Sequence, residues 1–134
     1  MRKFIVSLAI LVTGIMIGNA QTAKKEPTVN ASGNIEAYYF HFNTRCVTCR
    51  AVEAEAKADI KSLYPGKITF KAVNLDEASS KAIADKLGIS GQTLIIVKGE
   101  KKIILTNEGF MYATTNPAKF KSIIKQKVDN LIAQ

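Results

Sequence analysis

Residues 35–63 read IEAYYFHFNTRCVTCRAVEAEAKADIKSL, and two periodicities meet inside them. Ile35 to Phe42 is crowded with aromatic side chains and too short for a helix of its own, which predicts a buried strand. Beyond Thr44 the pattern changes: Cys49, Val52, Ala56, Ile60 and Leu63 recur at steps of three and four, the apolar stripe of an amphipathic helix that ends before Pro65-Gly66. The two cysteines therefore fall where a strand hands over to a helix. Cys46 is expected in the first helical turn and Cys49 on the buried stripe.

Working outward, Ile68 to Leu75 alternates and carries β-branched residues, as a second strand does. Asp76 and Ser79 are candidate caps for a short helix that turns Ile83 and Leu87 inward and stops at Gly88. Thr93–Val97 and Lys102–Thr106 flank Lys98-Gly99-Glu100-Lys101, a hairpin signature. Asn116-Pro117 is a cap followed by proline at the first helical position; it opens a last helix with Phe120, Ile123, Ile124, Val128 and Leu131 on one side. The first two strands, joined through a long helix, should be parallel by a right-handed crossover, and the hairpin must be antiparallel. The expectation is an α/β domain, βαβαββα, with a mixed four-stranded sheet and helices on both faces.

Upstream, Arg2 and Lys3 precede an apolar run from Phe4 to Ile17 and the small residues of Gly18-Asn19-Ala20, the pattern of a signal peptide over residues 1–20. The run is about 14 residues where a membrane span needs about 20. Residues 21–33 are polar and aperiodic, a flexible leader to a domain over residues 34–134. With no cysteine near the cleavage site to accept a lipid, the mature chain is expected to be soluble and monomeric, in the periplasm or secreted. Setting aside residues 1–20 removes two of the 19 basic residues and none of the 11 acidic ones, and the net charge falls from +8 to +6. Lysines are scattered from Lys24 to Lys127 without a block, so the charge reads as a solvated basic surface and not as a nucleic-acid site. About 114 residues support one domain with one core.

The chemistry rests on Cys46-Val47-Thr48-Cys49. Unpaired N–H groups and the dipole at a helix start stabilise a thiolate, and Arg45 and Arg50 add positive charge nearby. Cys46 is the expected nucleophile that forms a mixed disulfide, and Cys49 the residue that resolves it. An inert staple is the weaker reading, because a ring over about four residues gains only about 2 kcal/mol where a fifteen-residue loop gains about 3. Zinc needs four ligands, and two thiols with one histidine do not supply them.

Residues 34–133 resemble the thioredoxin-fold family, in the minimal form without the extra N-terminal strand and helix. The resemblance rests on the aromatic strand before the two cysteines, on Val73-Asn74-Leu75-Asp76, on Gly88-Ile89-Ser90-Gly91 before a hairpin, and on Gly109 before the last helix. It implies exchange with protein thiols or disulfides without a cofactor or metal, and a partner-binding surface at Gln92, Thr93 and Gly109. The chain departs from the family pattern at four places: Arg45 stands for the usual tryptophan, Val47-Thr48 for Gly-Pro, Phe40 for the buried aspartate, and Thr93 for the cis-proline. A trans Gln92–Thr93 peptide is expected, since a cis bond before a non-proline residue costs about 2.5–4 kcal/mol.

His41 lies next to the lost carboxylate but on the opposite strand face, so it is expected as a strand-end histidine and not as a base. Phe110-Met111-Tyr112 is expected in the core in preference to an exposed docking lip. The leading expectation of function is an exported thiol–disulfide oxidoreductase. The alternatives are a binding protein whose thiolates capture a soft ion such as Cu(I) or As(III) or dock a partner without turnover, and a purely structural accessory subunit.

Overall fold

The first strand, β1 (Ile35–His41), is buried along almost its whole length. A strand covered on both faces favours apolar side chains at successive positions, which explains the run Tyr38-Tyr39-Phe40; Glu36 is the buried exception. The computed structural model describes residues 33–134; the expected signal peptide and nearly all of the expected leader lie outside them. After β1 come α1 (Val47–Leu63), β2 (Ile68–Asn74), a 3-10 turn at Ala78–Ser80, α2 (Lys81–Leu87), β3 (Thr93–Lys98), β4 (Lys101–Ile104), α3 (Thr106–Tyr112) and α4 (Pro117–Ile132).

The strands lie in the order β2-β1-β3-β4. β1 runs parallel to β2, with Phe40 beside Val73, and antiparallel to β3, with Phe40 beside Thr93. β3 and β4 form the hairpin, closed between Lys98 and Lys101, and Gly99 at φ 57° supplies the positive φ of its tight turn. Alternation along β1 divides the core. Ile35, Ala37 and Tyr39 face α1, α3 and α4, whereas Tyr38 and Phe40 face Ile83, Ala84 and Leu87 of α2. This is the expected three-layer α/β sandwich with a mixed four-stranded sheet, a thioredoxin-like fold.

The α1 stripe is buried at Cys49, Val52, Ala56 and Ile60, with Asp59 added to it, while Leu63 at its end is only half-buried. Each large side chain so covered contributes about 1.5–3 kcal/mol. Tyr64 closes α1 and donates its hydroxyl to Asp129 Oδ1 (2.7 Å), with the Lys125 carbonyl 3.1 Å from the same oxygen, tying α1 to α4. At the head of α4, the Asn116 side chain accepts the Lys119 N–H at 3.1 Å and Pro117 occupies the first turn, as the sequence indicates.

Three local expectations are corrected. Asp76 and Ser79 cap nothing: the 3-10 turn intervenes, Ser80 precedes α2 without a side-chain capping bond, and Asp76 is drawn away to the loop before α1. The second hairpin strand ends at Ile104, and Thr106 starts a helix instead. That helix, α3, extends the expected order to βαβαββαα and turns Phe110 and Met111 outward, 37% and 53% exposed, so neither belongs to the core. Among the described residues no helix is long and apolar enough to cross a membrane.

Candidate functional site

The loop joining β1 to α1 is held before it reaches the cysteines. Asn43 donates its backbone N–H to Asp76 Oδ2 at 2.6 Å and accepts the Asn74 side-chain amide at 2.8 Å, while Leu75 N–H reaches the His41 carbonyl at 2.7 Å. The end of β2 thus fixes the chain three residues ahead of Cys46. Asp76 serves this loop because β2 lies parallel to β1 and ends level with it.

Cys46 is the N-cap of α1 and not a member of its first turn: its backbone is extended and its sulfur accepts the Cys49 N–H at 3.0 Å. Its carbonyl accepts the Arg50 N–H at 3.1 Å. A short polar or polarisable side chain at this position satisfies one of the orphan amides of a helix start. Cys46 and Cys49 are joined in a disulfide with their Cα atoms 5.0 Å apart. The two cysteines are unequally placed, Cys46 exposed and Cys49 only 5% exposed on the core face of α1.

Arg45 is half-buried; its guanidinium lies 5.9 Å from the centroid of the Tyr39 ring and forms an ion pair with Glu53, about two turns along α1. The positive charge beside Cys46 is therefore one half of a pair. Arg50 is exposed. Glu53 escapes a reading of the sequence because the partner of Arg45, eight positions away, is fixed by how the loop meets α1.

Gln92 and Thr93 stand side by side and do different things. The Thr93 hydroxyl donates to the Gly91 carbonyl at 2.9 Å, and the Gln92–Thr93 peptide is trans. The Gln92 side-chain amide donates to the Tyr39 hydroxyl at 2.5 Å, and that hydroxyl donates to the Cys49 carbonyl at 2.8 Å. Gln92 is thus brought to the cysteine pair through Tyr39, which the sequence shows only as one of four strand aromatics. Burial pushes the Tyr39 phenol above its ordinary pKa, against the opposing pull of Gln92 and the Arg45 charge, so it remains a proton donor at neutral pH.

Phe40 is fully buried on the α2 face. His41 lies on the opposite face, its ring 6.3 Å from that of Tyr39 and its Nδ1 3.0 Å from the Phe42 carbonyl. Gly109 is buried inside α3, where a Cβ would stand 2.7 Å from Val52 Cγ1 and 3.4 Å from Phe120 Cζ; its placement serves the contact of α3 with α1 and α4. Among the described residues no cluster of three or more His, Cys, Asp or Glu side chains is placed to hold a metal ion.

No protein-family model matches the chain, and no curated protein does. Solved structures do. The Trxlp protein of Edwardsiella tarda is 22% identical, with a TM-score of 0.49 over 69% of this chain and 84% of its own. Thioredoxin O2 of Arabidopsis thaliana, in its oxidized state, is 22% identical with a TM-score of 0.48 over 70% of this chain and 75% of its own. Fasciola hepatica thioredoxin is 17% identical with a TM-score of 0.44, over 77% and 82%. The assignment of a thioredoxin-like fold stands on the chain's own strand order and on the disulfide at the head of α1.

Proposed function

We propose that the protein is an exported thiol–disulfide oxidoreductase that exchanges disulfides with protein partners through Cys46. The observation that carries this reading is the asymmetry of the pair: an exposed cysteine at a helix N-cap, bonded to a cysteine that is 5% exposed. A partner reaches only the first. Once reduced, Cys46 has the helix start to stabilise its thiolate, while Cys49 waits within intramolecular reach.

In the reducing direction the Cys46 thiolate attacks one sulfur of a partner disulfide. That S–S bond breaks, a mixed disulfide forms, and the partner's released thiolate takes a proton from water. Cys49 loses its proton to water and attacks the Cys46 sulfur; the mixed disulfide breaks and the partner's second thiolate leaves. Two electrons have moved to the partner, and the chain holds the Cys46–Cys49 disulfide. The same steps reversed oxidise a partner dithiol. The exchange uses sulfur alone and calls for no cofactor.

Export to the periplasm or the exterior is the setting that Arg2, Lys3, the apolar run and Ala20 support. Disulfides persist in such compartments, which suits a protein whose whole cysteine complement is this pair. Recovery from the cell envelope of a form beginning at Gln21 is the expected outcome by intact mass; a retained Met1 counts against export.

Replacing Cys49 tests the chemistry. The Cys49→Ser protein should accumulate mixed disulfides with protein partners, and Cys46→Ser should form none. Absence of exchange with insulin or with a reduced model protein, in either direction, would sink the reading and leave soft-ion capture or docking to be examined.

A further inference from the structure

The hydrogen-bond chain beneath the disulfide joins three distant parts of the sequence: Gln92 in the loop before β3, Tyr39 in the central strand, and the Cys49 carbonyl in the first turn of α1. Resting on the oxidoreductase reading above, we infer that Tyr39 and Gln92 are positioning residues that hold the α1 first turn in its ring-closed form and so set the reduction potential of the Cys46–Cys49 pair.

Several observations carry the inference. Tyr39 is fully buried, its ring is packed in the core on the α1 side of the sheet, and its hydroxyl is directed to the cysteine end of that core. The Cys49 carbonyl already belongs to the helical ladder, in which it accepts from the residue four positions on, so the tyrosine supplies a second donor to the same oxygen. The hydroxyl is fully used: it donates to Cys49 and accepts from Gln92. A phenol held by two fixed partners has little freedom, and neither has the backbone it grips. Arg45 lies against the same ring, so the residue before the nucleophile and the backbone of the resolving cysteine rest on one side chain.

A four-residue disulfide ring closes only when the Cys46–Cys49 turn keeps a narrow geometry. In the disulfide form Tyr39 grips that turn. For the potential to be set in this way, the turn must relax as the two sulfurs separate on reduction, so that a bond fitted to the closed form loses part of its strength. Tyr39 and Gln92 therefore favour the disulfide over the dithiol, and weakening them makes the pair more oxidising.

The test is the equilibrium of the full mature chain with glutathione redox buffer, the two forms separated by thiol alkylation and mass. Tyr39→Phe, which keeps the ring and removes the hydroxyl, should disfavour the disulfide about five-fold, the size of one ordinary hydrogen bond. For a two-electron couple that is a potential about 20 mV less negative. Gln92→Leu should move it about two-fold in the same direction, and the double variant should match Tyr39→Phe alone, because Gln92 acts only through the hydroxyl.

Denaturant midpoints of the disulfide and chemically reduced forms supply a second reading that needs no exchange with glutathione. The gap between the two forms should narrow in Tyr39→Phe. A bond that merely supports the fold lowers both midpoints alike and leaves the potential in place, and that result overturns the inference. So does a Gln92 effect that adds to that of Tyr39. If Tyr39→Phe fails to fold, the half-buried Gln92→Leu decides by the same two measurements. A wild-type pair that does not equilibrate with glutathione speaks against the oxidoreductase reading, while the midpoint gap still judges the positioning role.

Discussion

Cys46 and Cys49 are chemically identical residues three positions apart, and their surroundings separate them. Cys46 caps α1 at the surface; Cys49 is buried in its stripe with its carbonyl gripped by Tyr39. Iodoacetamide at neutral pH should therefore label Cys46 first in the reduced protein, and equal rates at the two sites would remove the basis for naming a nucleophile. Arg45, next to Cys46 in sequence, is the nearest candidate for a finer control of that reactivity. Its ion pair with Glu53 divides its charge between a carboxylate and the helix start, so Glu53→Gln should free it to favour the Cys46 thiolate. The expected result is a rise of about three-fold in Cys46 alkylation at neutral pH; an unchanged or slower rate shows that Arg45 does not reach the sulfur. The cysteines and Arg45 were legible in the sequence because they are neighbours there. Glu53, Tyr39 and Asn43 were not, since each acquires its role from a contact made by folding.

Elements with their own signals were legible, and elements made by contact were not. α1 and α4 carry an apolar stripe, and α4 adds a cap and a proline, so both are present at nearly the bounds the sequence indicates. Asp76 and Ser79 also have capping chemistry, but the parallel register of β1 and β2 gave Asp76 a better partner in the Asn43 amide. α3 offers no stripe, and its central glycine reads as a break. Tertiary contact holds it: the Thr106 hydroxyl accepts the Leu94 N–H at 3.0 Å, and Gly109 lets the helix lie directly on Val52. Gly109→Ala should cost about 1–3 kcal/mol in urea unfolding, since its Cβ would overlap Val52 Cγ1. Adding Val52→Ala should recover part of that loss relative to the sum of the single changes. Full additivity would place the strain elsewhere.

At the scale of the whole molecule, the sheet separates two buried carboxylates whose titrations oppose each other. Glu36 lies on the α2 side of β1, where burial raises its pKa but hydrogen bonds from Lys71 (2.6 Å) and Tyr38 (2.7 Å), with the Lys71 charge, outweigh it and hold it below the usual 4.5. Asp59 lies in α1 on the other side; burial raises it above 3.8, Lys121 at 3.6 Å offsets only part of this, and its Oδ2 has no hydrogen-bond partner.

A carboxyl lowered by folding stabilises the protein above its unfolded pKa, and that stability is lost as pH falls through the folded value. Glu36 thus contributes at neutral pH and ceases to do so on acidification below about 4.5. A carboxyl raised by folding does the reverse: the native state holds the proton more tightly, so the advantage is complete below 3.8 and disappears as pH rises through the folded value. Asp59→Asn should accordingly stabilise the protein at pH 7, by about 1 kcal/mol, the scale on which an unpartnered buried charge or polar atom is penalised. That gain should vanish near pH 3, where Asp59 is protonated and uncharged like its replacement. Glu36→Gln should destabilise at pH 7 and lose its effect over the same acid range. Urea midpoints across pH 3–7 read both, and the signs must be opposite. If Asp59→Asn destabilises at neutral pH, the Lys121 pair outweighs burial, and the face between α1 and α4 is held by charge as well as by its apolar stripe.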